Sequence, residues 1–258
     1  MMQKIKNTKK IKNTKKIKNI LITGAARRIG ACTARLLHAD GANIMIHYRS
    51  SDNEANKLCD ELNQIRNHSA KCFQADLLIF EQIKKLADDV MEYAGNIDVL
   101  INNASSYFST DFNTATIEQW ETLMGSNLIA PFFLTQYLSS GLKSNHGCVV
   151  NIVDIHADRP VKNYSVYCMA KAGLVMMTKA LAIELNPEVR VNAVAPGAIL
   201  WPENNINTEE KNKILSKIPL QRVGGEEAIA KTIQFLIDDD SYIHGEIVKV
   251  DGGRSVVS

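Results

Sequence analysis

One tyrosine and one lysine in this sequence have the spacing of a proton-donating pair. Tyr167 and Lys171 are four residues apart within residues 164–185, an apolar segment with helical periodicity. Side chains at this spacing leave a helix on the same face, about one turn from each other. An ammonium group that close stabilises tyrosinate, so we expect a lowered phenol pKa and an acid that works near neutral pH. The same spacing also arises on helix surfaces that do no chemistry.

A turn with two glycines follows the first apolar run of the chain. Residues 23–30 read TGAARRIG, in which Gly24 and Gly30 are the glycines, and they run directly into a helical pattern. At a strand–helix junction, such a turn presents the free N–H groups and positive dipole end of the helix to a phosphate. The spacing differs from the common G-x-G-x-x-G, and a purely structural turn is the alternative. Its position at the first junction nevertheless favours a nucleotide site.

The end of the second apolar run indicates which dinucleotide binds. Residues 47–51 read HYRSS, at the place where an NAD-binding protein usually carries an acid for the ribose 2′-hydroxyl. A guanidinium and two hydroxyl groups suit a 2′-phosphate instead, which favours NADP. Asp52 is the competing acid, but it lies beyond the apolar run and is expected to cap the next helix.

These side chains need a scaffold, and the rest of the sequence predicts one. Short apolar runs alternate with longer segments of helical spacing. The predicted strands are residues 20–23, 43–48, 71–75, 99–102, 148–153, 190–194 and 246–250, and the predicted helices are residues 29–39, 53–63, 80–94, 117–139, 164–185 and 226–237. This alternation predicts an α/β protein with a single Rossmann-type doubly wound domain, a seven-stranded parallel sheet with helices on both faces. In such sheets, ligands bind at the carboxyl ends of the strands.

Charge is unevenly distributed along the chain. The 258 residues have a formal net charge of +2, but residues 1–19 contain eight lysines and no acid, which leaves 22 basic and 28 acidic residues elsewhere, a net charge of −6. We predict a disordered Lys-rich extension over residues 1–18 and an NADP-binding domain over residues 19–258. An acidic body argues against a nucleic-acid-binding domain. A weak contact of the extension with RNA or an acidic surface is the alternative.

Cysteine usage and hydropathy indicate the compartment. Five cysteines without a C-x-x-C pair fit neither a disulfide framework nor a zinc ribbon, so we expect reduced thiols and no metal. No apolar run approaches the roughly 18 residues of a membrane-spanning helix. The N-terminus also lacks the apolar region of a signal peptide. We therefore expect a cytoplasmic protein with no membrane partner.

With these residues identified, the sequence resembles the short-chain dehydrogenase/reductase family over residues 19–258. The landmarks follow the family's order: the turn at residues 23–30, Asp76, Asn102-Asn103-Ala104, Asn127, Tyr167 with Lys171, and Pro196-Gly197. The resemblance implies cofactor contacts from Gly24, Arg28, Ile29, Gly30, Tyr48, Arg49, Ser50, Asp76, Leu77, Asn103, Ala104, Ser105, Tyr167, Lys171, Pro196 and Gly197. It places Asp76 near the adenine, Pro196-Gly197 on the nicotinamide side, Lys171 on the nicotinamide ribose and Asn127 in a water relay. It also implies a homotetramer.

Two positions depart from the family's usual pattern. Arg28 stands where the middle glycine of the turn is usual, and Asp154 stands where a serine is usual, thirteen residues before the tyrosine. A carboxylate beside a ketone oxygen would repel the negative charge that develops there. Paired with a tyrosine, it is better suited to delivering a proton to a ring nitrogen while a hydride reaches the neighbouring carbon.

Both departures are shared with pteridine reductases, a subgroup that this chain also resembles in the runs HYRSS and NNASSYF. The resemblance implies that Tyr107 stacks on the pterin opposite the nicotinamide, with Phe108 as the next candidate; core packing is the alternative for both rings. Ser105 would contact cofactor and pterin. Arg28 would lie over the pyrophosphate near the pterin, or else pair with a surface acid. The implied substrate residues are thus Arg28, Ser105, Tyr107, Asp154 and Tyr167.

The expected activity is NADPH-dependent reduction of a 7,8-dihydropterin to its tetrahydro form, with oxidised pterins and dihydrofolate as further substrates. The catalytic residues would be Asp154, Tyr167, Lys171 and Asn127. Residues 198–212 are predicted to form a loop that closes over the substrate. A 3-oxoacyl or other ketone reductase of the same family is one alternative. A catalytically silent NADP-binding or scaffold protein is another.

Overall fold

The computed structural model describes residues 17–201 and 207–257, which surround a seven-stranded parallel sheet. The strands are β1 (Asn19–Ile22), β2 (Asn43–Tyr48), β3 (Ala70–Gln74), β4 (Val99–Asn102), β5 (Cys148–Ile152), β6 (Arg190–Pro196) and β7 (Ile247–Val250). Their order across the sheet is β3-β2-β1-β4-β5-β6-β7. The order reverses between β1 and β4, which opens a crevice at the carboxyl ends of the strands. The predicted Rossmann-type α/β fold is confirmed.

Helices cover both faces of this sheet. They are α1 (Arg28–Ala39), α2 (Asp52–Ile65), α3 (Phe80–Ala94), α4 (Ile117–Met124), α5 (Ala130–Ser144), α6 (Ser165–Glu184), α7 (Thr208–Leu215) and α8 (Glu226–Leu236). Successive strand residues point to opposite faces. Leu21 of β1 therefore packs in the core beneath α3, α5 and α6, whereas Ile20 and Ile22 pack in the core beneath α1, α2 and α8. Covering both faces explains why the central strands are continuous apolar runs.

The predicted helix over residues 117–139 is two helices joined by a wider turn. Helix α4 ends at Met124, a π-helical turn covers Gly125–Ile129, and α5 continues to Ser144. The Asn127 side-chain amide donates to the carbonyl of Leu123 at 2.9 Å, which is the acceptor that its backbone N–H would use in an α-helix. This side-chain bond accounts for the local change of helix type, which apolar periodicity does not reveal.

The segment predicted as a closing loop, residues 198–212, is partly helical. Helix α7 begins at Thr208, preceded by an Asn207 cap whose side chain accepts from the Glu210 N–H while the Glu210 carboxylate accepts from the Asn207 N–H. None of the α7 residues is buried. A helix stabilised by its cap rather than by an apolar face has no hydrophobic periodicity, which is why the pattern misses it. Residues 202–206 of this prediction lie outside the described residues.

The predicted N-terminal extension lies largely outside the described residues, which begin at residue 17. Lys18, assigned to the extension, nevertheless contacts the folded part: its ammonium group lies 2.7 Å from the Asp239 carboxylate and donates to the Ile237 carbonyl. The packed part of the chain therefore begins at least one residue earlier than predicted.

Helix α6 alone among the described helices has the length and hydropathy of a membrane span, but 56% of its apolar stretch is buried inside the protein. Its buried residues include Tyr167 and Lys171. The helix is thus apolar because it packs in the core of the fold. In the parts of the chain that the structure describes, no group of three His, Cys, Asp or Glu side chains is placed to hold a metal ion.

Candidate active site

A cavity of about 780 Å³ lies at the carboxyl ends of the strands. Its wall contains every residue predicted to contact cofactor or substrate, and every predicted catalytic residue except Asn127. Most of these residues follow the ends of β1 to β6, and Tyr167 and Lys171 come from α6, so the fold brings distant parts of the chain to one edge of the sheet. The roles of the individual side chains remain predictions.

The turn after β1 leaves no room for side chains at its glycines. Gly24 has a φ of +60°, and a Cβ there would lie 3.0 Å from the Ala104 backbone; a Cβ on Gly30 would lie 2.5 Å from the Gly24 carbonyl oxygen. Asn103 fixes the turn by donating from its amide to the carbonyls of Thr23 and Gly24. The residue at the cap position, Arg27, does not cap the start of α1 with its side chain. A helix start of this kind favours an anion through its N–H groups and the positive end of its dipole.

Arg28 occupies a backbone conformation that favours glycine. Its φ is +52°, in the left-handed region. Such a residue costs about 1–2 kcal/mol and persists where the surrounding structure imposes it, often at functional sites. The position thus combines a backbone conformation that suits glycine with a guanidinium in the cavity wall.

His47 connects three strand ends beneath the cavity. Its Nδ1 accepts from the Gly24 N–H and its Nε2 bonds the Ala75 carbonyl, both at 3.1 Å. The ring is 2% exposed, and burial lowers its pKa to about 4. The ring is therefore neutral, with its proton on Nε2. The run HYRSS predicts a cofactor contact at the end of β2, but no local pattern indicates that its histidine supports the turn after β1.

We expect the stability of the protein to fall as the pH falls from about 6.5 to about 4. Above this range His47 is neutral in both states; within it, the unfolded chain binds a proton that native His47 does not. The difference corresponds to about 3 kcal/mol of unfolding free energy. Urea unfolding at several pH values would measure it, and His47→Gln should have a shallower pH dependence.

The exposed histidine His68 provides the control for this measurement. His68→Asn, which keeps a residue tolerant of its φ of +56°, should retain the wild-type pH dependence. If the unfolding free energy of His47→Gln depended on pH as steeply as that of the wild type, His47 would not be the buried neutral group that we infer.

The end of β2 forms a basic and hydroxyl-bearing wall. Arg49 and Ser50 are exposed there, and the Arg27 guanidinium donates to the Ser51 hydroxyl at 2.6 Å. Arg27 also forms an ion pair with Glu54 at 3.2 Å. Arg27 had no predicted role, because its contacts with Ser51 and Glu54 join two parts of the chain that meet only in the folded protein.

Asp52, the competing acid at this end, does not line the cavity. It is the first residue of α2, where Ser51 and not Asp52 takes the cap position, so the predicted cap was wrong by one residue. Burial, together with a hydrogen bond to Asp52, raises the pKa of the Tyr48 hydroxyl. The carboxylate is thus engaged by Tyr48 rather than directed at the cavity.

Asp154 and Tyr167 form a hydrogen-bonded pair in the cavity wall. The Tyr167 hydroxyl donates to Oδ2 of Asp154 at 2.8 Å, while Oδ1 of Asp154 accepts from the His156 N–H at 2.8 Å. This second bond caps a short 3₁₀ turn, Ile155–Ala157, and fixes the carboxylate. Lys171 donates from Nζ to the Ile152 carbonyl at 2.9 Å, and its Nζ lies 5.7 Å from the centre of the Tyr167 ring.

The predicted lowering of the phenol pKa is wrong for this arrangement. Burial raises the pKa of Tyr167, and the charge and hydrogen bond of Asp154 raise it further. Burial lowers the pKa of Lys171 to about 8, against the opposing effect of Asp154. The spacing of Tyr167 and Lys171 revealed their common helix face. It did not reveal the Asp154 carboxylate bonded to the phenol or the burial of the phenol, and these two features set its pKa.

Asn127 supports the cavity from behind. It is fully buried, its amide donates to the Ser106 carbonyl at 2.9 Å, and its Oδ1 accepts from the Ser105 hydroxyl at 2.7 Å. Ser105 lines the cavity, so Asn127 fixes a wall segment rather than forming the wall itself. The water relay implied for Asn127 stays a prediction.

Of the two aromatic candidates, Tyr107 lines the cavity and Phe108 does not. The Tyr107 ring is 56% exposed, stacks on Tyr164 at 4.7 Å, and meets the Tyr167 ring edge-on at 4.8 Å. Phe108 packs against a small buried cluster that includes Leu123. Phe108 is thus a core-packing residue, whereas the Tyr107 ring is accessible to a ligand in the cavity.

The ends of β3 and β6 complete the predicted cofactor wall. Asp76 accepts from the Leu78 N–H at 3.0 Å, which shapes the loop after β3. Pro196 ends β6, and a Cβ on the following Gly197 would lie 2.7 Å from the Asp251 backbone. The close approach holds this loop against the end of β7.

Several cavity residues had no predicted role. They include Arg27, His47, Ser106, His156, Val161, Ile214, Val223 and Arg254. Most of them come from loops far apart in sequence, and no local pattern marks them. Trp201 also lines the cavity, and the predicted closing loop had included it.

Comparison with known proteins agrees with this architecture. The family model described as enoyl-(acyl carrier protein) reductase matches residues 24–255. The chain belongs to the short-chain dehydrogenase/reductase family and is an oxidoreductase.

Its relatives include enzymes with different substrates in their names. The chain is 32% identical to pteridine reductase 1 of Leishmania tarentolae, over 92% of this chain and 96% of the relative. It is 36% identical to a 3-oxoacyl-[acyl-carrier-protein] reductase of Synechocystis sp., over 90% and 95%. It is 30% identical to 3beta-hydroxysteroid dehydrogenase 1 of Eggerthella lenta, over 92% and 93%. Because the sequence identities to these three relatives are similar, they do not distinguish between the substrates, and the residues of the site must do so.

Proposed function

We propose that the protein is an NADPH-dependent pteridine reductase. The observation that carries this proposal is the 2.8 Å hydrogen bond from the Tyr167 hydroxyl to Asp154, within the cavity wall. A carboxylate at this place opposes a developing alkoxide but is compatible with a substrate nitrogen that gains a proton. The similarity to a pteridine reductase supports the same substrate class.

The cavity residues fit a dinucleotide with a 2′-phosphate. The start of α1, which the Arg27 side chain does not cap, and the close-packed Gly24 and Gly30 suit a pyrophosphate, which favours a helix N-terminus and a close backbone approach. Arg49, with Ser50 beside it, suits the additional phosphate. When bound, NADPH supplies the hydride of the reaction.

In this proposal the protein's own residues control the proton. Asp154 orients the Tyr167 hydroxyl through Oδ2, and its charge keeps the phenol protonated until a substrate nitrogen accepts the proton. Lys171, with a pKa of about 8, is mostly protonated at neutral pH, and its positive charge offsets the tyrosinate that remains. For an oxidised pterin we assign the Tyr167 proton to nitrogen 8 and the hydride to carbon 7. For a dihydropterin the proton goes to nitrogen 5, from this acid system or from water that it orders, and the hydride to carbon 6.

Tyr107 suits a flat heterocycle. Its half-exposed ring lines the cavity and is backed by the stacked ring of Tyr164. Aromatic faces attract each other beyond the area that they bury, so a pterin on this ring would be held parallel to it. We assign substrate stacking to Tyr107 and contacts at the polar edge of the pterin to Arg28 and Ser105.

A 3-oxoacyl reductase is the second candidate. The 36% identity to an enzyme of that name supports it, and the Tyr167–Lys171 pair serves ketone reduction equally well. The charge of Asp154 argues against it, because the ketone oxygen becomes negative in the transition state.

Rates of NADPH oxidation with a panel of substrates separate the two candidates. We expect turnover with dihydrobiopterin, dihydromonapterin or dihydrofolate, and little with an acetoacetyl thioester. Turnover with the thioester alone would refute the pteridine reductase proposal. Comparing the pterins also identifies which side chain is preferred.

Arg49→Ala should weaken NADPH binding about 10- to 100-fold, since a hydrogen bond to a charged group contributes roughly 1.5–3 kcal/mol. NADH, which has no 2′-phosphate, should be affected far less. Fluorescence titration of both cofactors would measure the two effects. Arg35→Ala is the matched control: Arg35 pairs with Glu61 at 2.8 Å outside the cavity, and its loss should leave both affinities unchanged. An equal loss for NADPH and NADH in Arg49→Ala would contradict the assignment.

We further propose that the enzyme is a cytoplasmic homotetramer with a separate N-terminal extension. Met169, Met176 and Ile183 lie seven residues apart on α6 and are 47–79% exposed, which supports an interface between copies along that helix.

A further inference from the structure

Two cysteines outside the cavity lie against each other at the edge of the sheet. Cys59 belongs to α2 and Cys72 to the edge strand β3. The Cys59 sulfur lies 3.3 Å from the Ala70 carbonyl oxygen, and the Cys72 sulfur lies 3.2 Å from that of Ala55. Since Ala70 and Cys72 share a face of the strand, and Ala55 and Cys59 lie about one helical turn apart, these crossed contacts place the two sulfurs between the same helix and strand.

The two thiols are also unequal. A hydrogen bond from Cys72 is the main cause that lowers the pKa of Cys59 to about 7, and the same bond raises the pKa of Cys72. The Asn63 amide adds a donor 3.4 Å from the Cys59 sulfur. Both cysteines are partly exposed, whereas Cys148 and Cys168 are buried. A nucleophilic sulfur thus has a second sulfur beside it and access to solvent.

We propose that Cys59 and Cys72 form a reversible disulfide when the protein meets a peroxide. The Cys59 thiolate attacks one peroxide oxygen, the O–O bond breaks, and hydroxide leaves with the second oxygen, giving a sulfenic acid. The Cys72 sulfur then attacks the Cys59 sulfur, the S–O bond breaks, and the oxygen leaves as water. Overall, two thiols and one hydrogen peroxide become one disulfide and two waters.

The proposed disulfide lies close to the wall that carries Arg49. Cys72 pairs with Ile46 of β2, and two residues later the Gln74 side-chain amide donates to the Arg49 carbonyl at 3.1 Å. Helix α2, which carries Cys59, begins at Asp52, shortly after Arg49. The bond would therefore join the two elements that flank this wall. The disulfide itself does not depend on the proposed substrate or cofactor.

The test is to treat the reduced full-length protein with hydrogen peroxide and count its thiols under denaturing conditions. We expect the count to fall from five to three, with a peptide pair linked through Cys59 and Cys72, and dithiothreitol should restore all five. Oxidation of Cys59 to sulfinic acid without a linked peptide would overturn the proposal. So would linkage of either cysteine to a different one.

Single substitutions provide the matched controls. Cys59→Ser and Cys72→Ser should each abolish the linked pair, whereas Cys32→Ser, at another partly exposed cysteine, should still lose two thiols. Circular dichroism would check that each variant is folded. If either Cys59→Ser or Cys72→Ser fails to fold, the other variant still provides the comparison with Cys32→Ser. Loss of the disulfide in Cys32→Ser, or its persistence in both other variants, would contradict the proposal.

Discussion

Tyr167→Phe should lower kcat for dihydropterin reduction about 10²- to 10⁴-fold, the usual contribution of a positioned general acid. The substitution removes the hydroxyl that donates to Asp154 and leaves the 4%-exposed ring in its packing. Binding of NADPH, measured by fluorescence titration, should change little, because the effect concerns the proton. Loss of rate with intact binding therefore separates a catalytic role from a structural one.

Tyr137→Phe is the control for this substitution. Tyr137 lies on α5, packs partly buried against the core, and does not line the cavity. Its kcat should stay within about threefold of wild type, as expected for a residue that takes no part in proton transfer. A wild-type rate in Tyr167→Phe would contradict the acid role assigned to Tyr167.

Asp154→Ser should exchange one substrate class for another. Serine restores a hydroxyl donor for a ketone oxygen and removes the charge that opposes an alkoxide, so reduction of an acetoacetyl thioester should rise. Dihydropterin reduction should fall about 100-fold, within the range expected for a lost acid–base partner. Both rates come from the same NADPH-oxidation assay.

Asp154→Asn separates the charge of Asp154 from its hydrogen bonds. Asparagine keeps an oxygen to accept from the His156 N–H, and hence the cap of the 3₁₀ turn. If the carboxylate charge matters, Asp154→Asn should lose pterin reduction as Asp154→Ser does. Unchanged pterin rates in both variants would contradict the role given to Asp154.

The sheet and most helices were predictable because their patterns are local. Apolar runs indicated the strands. The alternation of strands with helices indicated that the strands pair in parallel. Helix α7 was missed because its stability comes from the Asn207 cap and not from a buried face. The break at Asn127 was missed because a side-chain bond, which periodicity does not register, replaces a backbone one.

The sequence predicted which residues form the site better than it predicted their pKa values. Motifs and resemblance identified residues that the sheet places around one cavity, but Arg27 and Arg254 reach it only through tertiary structure. The acidity of Tyr167 was predicted with the wrong sign, because it depends on burial and on Asp154 more than on Lys171. Spacing along a helix determines which side chains are neighbours, whereas burial depends on the whole fold.

The π-helical turn at Gly125–Ile129 has a consequence for insertions and deletions in this chain. Its closing bond runs from the Ala130 N–H to the Gly125 carbonyl, so the turn holds one residue more than an α-helical turn. The extra residue is therefore accommodated within the turn, and the same faces of α4 and α5 point to the core on either side of it. Removing one residue here should leave Leu134 and Leu138 facing the core, whereas removing one from the middle of α5 would rotate the following residues by about 100°. Length variation among relatives is thus expected to be tolerated at this turn sooner than within either helix.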